Sequence, residues 1–251
     1  SRLFSRVAAD LLRLTWGGFV LAAITGALAV NTEIAEVNHQ ALNHPDLVAP
    51  ARAVNPNVKV ILKYPQWHSA LHERGYEVVR QTADYDRIWV GTETRDYDDP
   101  QWGGKVQYEA YFIMRWLGEI GGAKCGGGWF DPYGTHEDTY VEQARQTVLA
   151  DAKEMLLFCY GSLLGNTGPA NVARLRTEIP HLFELASLVR GQPLRGIAAP
   201  KPPNSKPRGE AYVYDFVGML GLPLVPTATI RDDAKAAFLP IQAMNKRRPE
   251  D

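Results

Sequence analysis

From Val58 onward, short β-rich runs alternate with longer stretches whose apolar residues recur at helical spacing. Val58–Tyr64, Arg87–Thr92, Lys124–Phe130, Glu154–Tyr160, Leu194–Ala199 and Pro223–Val225 read as strands. Their starts lie roughly 30 to 40 residues apart, the length of one strand-plus-helix unit. Between them, Val106–Ile120 places Val106, Ala110, Ile113, Met114, Leu117 and Ile120 on one helical face. Asp138–Ala152 does the same with Val141, Ala144, Val148 and Ala152. A third helix is expected over Pro169–Val189, with Pro169 in its first turn and a kink or break at Pro180. Such alternation predicts a parallel sheet, in a barrel or a doubly wound arrangement, with chemistry beyond the carboxyl ends of the strands.

The amino-terminal part follows a different pattern. Leu14–Thr32 carries no charge, and Arg2, Arg6 and Arg13 precede it. This suits a secretory signal or a membrane anchor, while a buried helix is the plainer alternative. Secretion or anchoring is therefore favoured over a cytoplasmic location, with membrane contact expected through residues 14–32. The chain begins with Ser, so its natural start is left open.

Composition narrows the function classes. With 27 Lys+Arg against 28 Asp+Glu, the chain lacks the basic excess of a nucleic-acid binder. The two cysteines, Cys125 and Cys159, cannot build a disulfide scaffold or a four-Cys zinc site. His68 and His72 stand four apart but have no third ligand at a known spacing, so no metal is expected and they read as a solvated helix face. Glu109 and Arg115 read as helix-surface residues or braces for a strand end. The glycines lack the spacing of a dinucleotide fingerprint, so no cofactor is expected. The proline-rich Lys201–Pro207 reads as a surface loop.

Candidate chemistry gathers at the strand ends. The first strand leaves through Lys63-Tyr64-Pro65-Gln66-Trp67, the second through Glu93-Thr94-Arg95-Asp96, and the third through Trp129-Phe130-Asp131-Pro132-Tyr133. The fourth ends near Tyr160 and Ser162. Glu93 and Asp131 are thus carboxylates at equivalent ends of adjacent strands. Paired carboxylates with an aromatic wall suit glycosidic bond cleavage, one protonating the leaving oxygen while the other attacks or activates water. Lys63, Trp67, Arg95, Trp129, Tyr133 and Tyr160 are the candidate substrate contacts. Gly126, Gly127 and Gly128 would admit a close approach of backbone or ligand. The plainer alternative pairs Glu93 with Lys63 or Arg95 and makes Asp131 a turn cap.

The segments KVILKYPQWH, DRIWVGTETRD, YEAYFIMRWLGEIGG, KCGGGWFDPYGT and MLLFCYGSL resemble the later strands of a β-galactosidase-like (β/α)8-barrel glycoside hydrolase. GQPLRGIAAPKPPNS and EAYVYDFVGMLGLPLVP resemble the opening of the flavodoxin-like trimerisation domain of such enzymes. The resemblance implies an α/β fold: the later half of a TIM barrel followed by the start of a flavodoxin-like domain. It divides the chain into an N-terminal helical segment at 1–50, a catalytic barrel portion at 51–190 and a trimerisation-like portion at 191–251. It implies a retaining O-glycosidase acting on a carbohydrate such as a β-galactoside, and homo-oligomers formed through the C-terminal portion. Glu93 would be the nucleophile and Asp131 its partner or a ligand for a substrate hydroxyl, although Glu93 falls one strand earlier than the family pattern. The usual Asn-Glu acid motif has no counterpart before Val58, which leaves a non-catalytic carbohydrate-binding or scaffold protein as the alternative.

Overall fold

The computed structural model describes residues 19–20, 45–71, 74–203 and 210–239. It is a mixed α/β structure in which all strand pairs among the described residues are parallel. Five strands form the main sheet in chain order: β1 (Phe19–Val20), β2 (Lys59–Tyr64), β3 (Arg87–Gly91), β4 (Cys125–Phe130) and β5 (Glu154–Leu157). Neighbours in sequence are neighbours in space, with no reversal of strand order across these five. Doubly wound sheets reverse their order at a switch point, so this sheet runs without one.

Helices fill the crossovers that parallel pairing requires. They are α1 (Pro45–Val54), α2 (Val78–Asp84), α3 (Tyr108–Gly121), α4 (Glu137–Leu149), the one-turn α5 (Tyr160–Leu163) and α6 (Gly168–Val189). Glu77 caps α2 by accepting a 2.6 Å bond from the Arg80 backbone N–H. Glu137 and Asp138 place negative charge in the first turn of α4, where the helix dipole favours it.

Alternate strand residues serve two faces. Val60, Leu62, Tyr64, Ile88 and Val90 pack with Phe112, Ile113, Trp116 and Leu117 of α3 in one buried cluster. Phe130 joins Tyr140, Val141, Ala144 and Val148 of α4 with Leu175 and Leu182 of α6 in a second. The intervening residues Lys63, Trp89 and Trp129 lie on the other face. Gly128 lets α4 sit close to the sheet, since a Cβ there would meet Thr147 Cγ2 at 2.6 Å.

A smaller parallel pair, β6 (Ile197–Pro200) and β7 (Leu224–Thr227), flanks α7 (Glu210–Met219). Ala199, Tyr214 and Leu224 belong to the same buried cluster as α3. The Trp116 indole N–H donates to the Lys201 carbonyl at 2.9 Å, tying this unit to the main sheet.

Several expectations shift. The fourth strand ends at Leu157, not Tyr160, because Cys159 turns to cap α5 with Ser162. Cys159 therefore lies outside the strand. α6 runs continuously through Pro180, which is exposed together with Arg176, the residue whose carbonyl loses its helical partner there. The triple glycine accommodates the protein itself: Trp89, the Glu154 backbone and Thr147 crowd its three positions. No helix among the described residues is long and apolar enough to cross a membrane. Apart from Phe19–Val20, the Leu14–Thr32 stretch lies outside the described residues, as do His72 and residues 204–209.

Candidate active site at the strand exits

The register of β3 and β4 decides how the two carboxylates meet. Gly91 pairs with Trp129, and Glu93 and Asp131 each follow two residues later. The pairing continues past the strands, with Thr92 N–H donating to the Trp129 carbonyl at 2.8 Å and Asp96 N–H to that of Gly134 at 2.8 Å. Gln143 of α4, fully buried, spans both exits: its Oε1 accepts from Thr94 N–H at 3.3 Å and its Nε2 donates to the Asp131 carbonyl at 3.1 Å. Sequence reading missed Gln143 because it lies beside the apolar face of α4 without belonging to it.

Each carboxylate is held differently. Asp131 accepts from Arg95 at 3.1 Å through Oδ2 and from the Tyr133 backbone N–H at 2.9 Å through Oδ1. Glu93 has no ion pair within 4 Å among the described residues, and its Oε2 is buried without a hydrogen-bond partner. That oxygen sits over Gly91, where a Cβ would lie 2.5 Å from it and 2.7 Å from the Gln66 nitrogen. Glycine at position 91 is what leaves room for the Glu93 carboxyl.

Burial pushes the Glu93 carboxyl up to about 8; the Asp131 charge adds to the rise, and Arg95 opposes it. Burial also raises Asp131, while Arg95 and the Tyr133 N–H pull it back. Lys63 is lowered by burial, with Glu93 working the other way. Its ammonium lies 4.3 Å from the centre of the Trp129 ring and 4.6 Å from that of Phe158, which meet edge to face.

Lys63, Glu93, Arg95, Trp129 and Asp131 are therefore brought together at three successive strand exits. Tyr133 is at the rim, 45% exposed, with its hydroxyl 3.6 Å from Cys159 Sγ. Tyr160 is 78% exposed at the start of α5. Trp67, half-buried in the loop after β2, lies beneath the Arg74 guanidinium at 4.3 Å. The expectation that His68 is solvated fails, since it is 1% exposed, and Glu109 is likewise buried. Arg115 braces the end of α4 by donating to the Leu149 carbonyl at 2.7 Å. A cavity of about 270 Å³ lies where the C-terminal strands meet the main unit and touches Cys125, at the opposite end of β4 from the carboxylates; a second, of about 380 Å³, is lined by residues of the C-terminal part, from Leu194 to Lys235.

Residues 38–203, more than half of the chain, match the family described as "Probable glycosyl hydrolase, catalytic domain". The chain belongs to this glycosyl hydrolase family. The matched region contains both carboxylates and every side chain gathered around them. An uncharacterized protein of Saccharolobus solfataricus is 28% identical over 197 residues, which cover 71% of this chain and 30% of that relative. The chain thus spans less than a third of the relative's length. No solved structure matches.

Proposed function

We propose that this glycosyl hydrolase catalytic domain cleaves an O-glycosidic bond of a carbohydrate by a retaining mechanism, with Glu93 as the proton donor and Asp131 as the nucleophile. The observation that carries the reading is the placement of two buried carboxyls at register-equivalent exits of adjacent parallel strands. Neighbouring strands are ~4.8 Å apart, close to the ~5–5.5 Å carboxyl separation of retaining enzymes and below the ~6.5–9.5 Å of inverting ones.

The division of labour follows from the surroundings. A carboxyl lifted to about 8 keeps its proton at neutral pH and can give it to a leaving oxygen. A carboxylate held by a guanidinium and a backbone N–H is fixed for attack on the anomeric carbon. This reverses the roles that the family resemblance implies. Trp129, with Lys63 over its ring, offers a flat apolar wall and a cationic donor beside the acid. Sequential parallel strands fit the later half of a (β/α)8 barrel, with β6, α7 and β7 beginning a flavodoxin-like unit. A β-galactoside is the first substrate to try.

Azide rescue tests the assignment. In a retaining enzyme, Glu93→Ala with azide should yield a glycosyl azide of retained configuration, and Asp131→Ala one of inverted configuration. The opposite pair of products would exchange the two roles. A panel of aryl glycosides left intact by the wild-type chain would sink the hydrolase reading. That result would favour a carbohydrate-binding protein.

A further inference from the structure

A second set of ionisable side chains is buried where the main sheet meets the C-terminal strands. His68 comes from the loop after β2, Glu109 from the first turn of α3 and Asp215 from α7. None of the three side chains has exposed surface. One donor atom from each lies within 4.8 Å of the others. His68 Nε2 is 3.2 Å from Asp215 Oδ2 and 4.0 Å from Glu109 Oε1.

The groups around the cluster leave it incompletely satisfied. Lys105, on the loop before α3, donates to Glu109 Oε1 at 3.3 Å and to Gln66 Oε1 at 3.1 Å. Lys201 approaches from the end of β6, its ammonium over the Trp116 ring at 4.1 Å. Phe112 of α3 closes one side, 5.1 Å from the His68 ring. Glu109 Oε2, Asp215 Oδ1 and His68 Nδ1 are buried without a hydrogen-bond partner. Buried polar atoms are nearly always partnered, so two half-satisfied carboxylates side by side point to a missing cation, proton or water. A neutral imidazole nitrogen is a common ligand for zinc and transition metals.

We propose that His68, Glu109 and Asp215 bind one divalent zinc or transition-metal ion, which staples α7 to the loop after β2 and the start of α3. One imidazole with two carboxylates suits zinc or manganese better than calcium or magnesium, whose sites are built from oxygen. A tetrahedral ion with ligands at ~2.0–2.1 Å holds its donors ~3.3 Å apart. The His68–Asp215 pair is already 3.2 Å apart, and Glu109 has to close in from 4.0 Å. The ion takes the place of the hydrogen bond between His68 and Asp215, with the imidazole proton on Nδ1 and any carboxyl proton released to solvent, and Lys105 remains on Glu109 Oε1 as an outer partner.

The test uses the full chain without an affinity tag. It is stripped with a chelator, dialysed, and then loaded with Zn²⁺, Mn²⁺ or Co²⁺. Metal analysis should find about one ion per chain, Tm should rise on loading, and the Co²⁺ form should gain a visible d–d absorption. His68→Gln and Asp215→Asn should each lower bound metal by at least about tenfold, whereas Glu93→Gln should keep it. Retention in folded His68→Gln and Asp215→Asn would place the ion elsewhere and overturn the proposal. Less than a tenth of an equivalent of each ion bound to the wild type, with no shift in Tm, would also overturn it. Should neither variant fold, the wild-type stoichiometry and Co²⁺ absorption decide the matter alone.

Discussion

The two buried carboxyl clusters lie within electrostatic reach of each other, yet they are assembled in opposite ways. Glu93 and Asp131 meet because β3 pairs with β4 in one register, and each residue sits two positions past the Gly91–Trp129 pair. His68 and Asp215 meet across 147 positions of chain, through the packing of α7 against α3 and the loop after β2. Charge is also balanced differently. Arg95 is committed to Asp131, leaving Glu93 without an ion pair and its carboxyl near 8. In the second cluster the Glu109 carboxyl rises to about 7 although Lys105 is beside it. The contrast teaches that burial outweighs a single neighbouring cation in both places. The first cluster takes both carboxyls from strand exits, where parallel sheets carry their chemistry, whereas the second takes His68 from the loop after β2 and both carboxyls from helices.

Substitutions that separate the clusters should do so first in turnover. Glu93→Gln is expected to lower kcat/KM on an aryl glycoside by about 10²–10⁴-fold with unchanged circular dichroism. Near wild-type turnover would remove Glu93 from the chemistry. Gly91→Ala should come next, because its Cβ would press on the Glu93 carboxyl and the Gln66 nitrogen. A displacement of about an ångström can cost ~10²-fold, so kcat should fall while Glu93 is still present. Unaltered kinetics would show that the carboxyl has room to spare.

Stability should answer to the second cluster. Asp215→Ala removes a buried partner of His68, at a cost of ~1–3 kcal/mol. For a chain of this size that lowers Tm by ~2–10 °C, which calorimetry would detect. An unchanged Tm would mean that the junction does not depend on the cluster.

The pH dependence sharpens the contrast further. Glu93 titrates near 8 when folded against an ordinary 4.5, so the native state binds the proton more tightly. Its contribution to stability is complete below 4.5 and is lost as pH rises through about 8. Glu93→Gln should therefore gain Tm relative to wild type between pH 5 and 8.5, by ~2–4 °C for each kcal/mol involved. The smallest effect should come from Glu109→Gln. Glu109 adds to the rise of Glu93, so its neutralisation should move the alkaline limb of the rate profile to lower pH. A limb that stays in place would mean that the clusters act independently.

Much of the first cluster is legible in the chain. VKVILKY and RIWVGT announce strands by their β-branched and aromatic runs, and the polar residues directly after them mark the exits. The end of β5 is harder to see, because Phe158, Cys159 and Tyr160 keep the composition of a strand while the backbone turns into α5. Glu109 misleads for a related reason. A charged residue in the first turn of an amphipathic helix suits an exposed position, and here His68 and Asp215 pack over it. His68 has the same history: its spacing to His72 suggests a helix surface, but the loop after β2 folds it against Phe112.

By itself, the amino-acid sequence determined the β/α alternation, the parallel pairing it requires, and the two carboxyls at neighbouring strand ends. These rest on periodicity and short crossovers, which act over a few tens of residues at most. Tertiary structure alone decided that Arg95 takes Asp131 and not Glu93, that Gln143 spans both exits, and that His68, Glu109 and Asp215 share one buried site. Those outcomes depend on how far apart separately formed elements come to rest when their apolar faces are buried together, a distance no local pattern encodes.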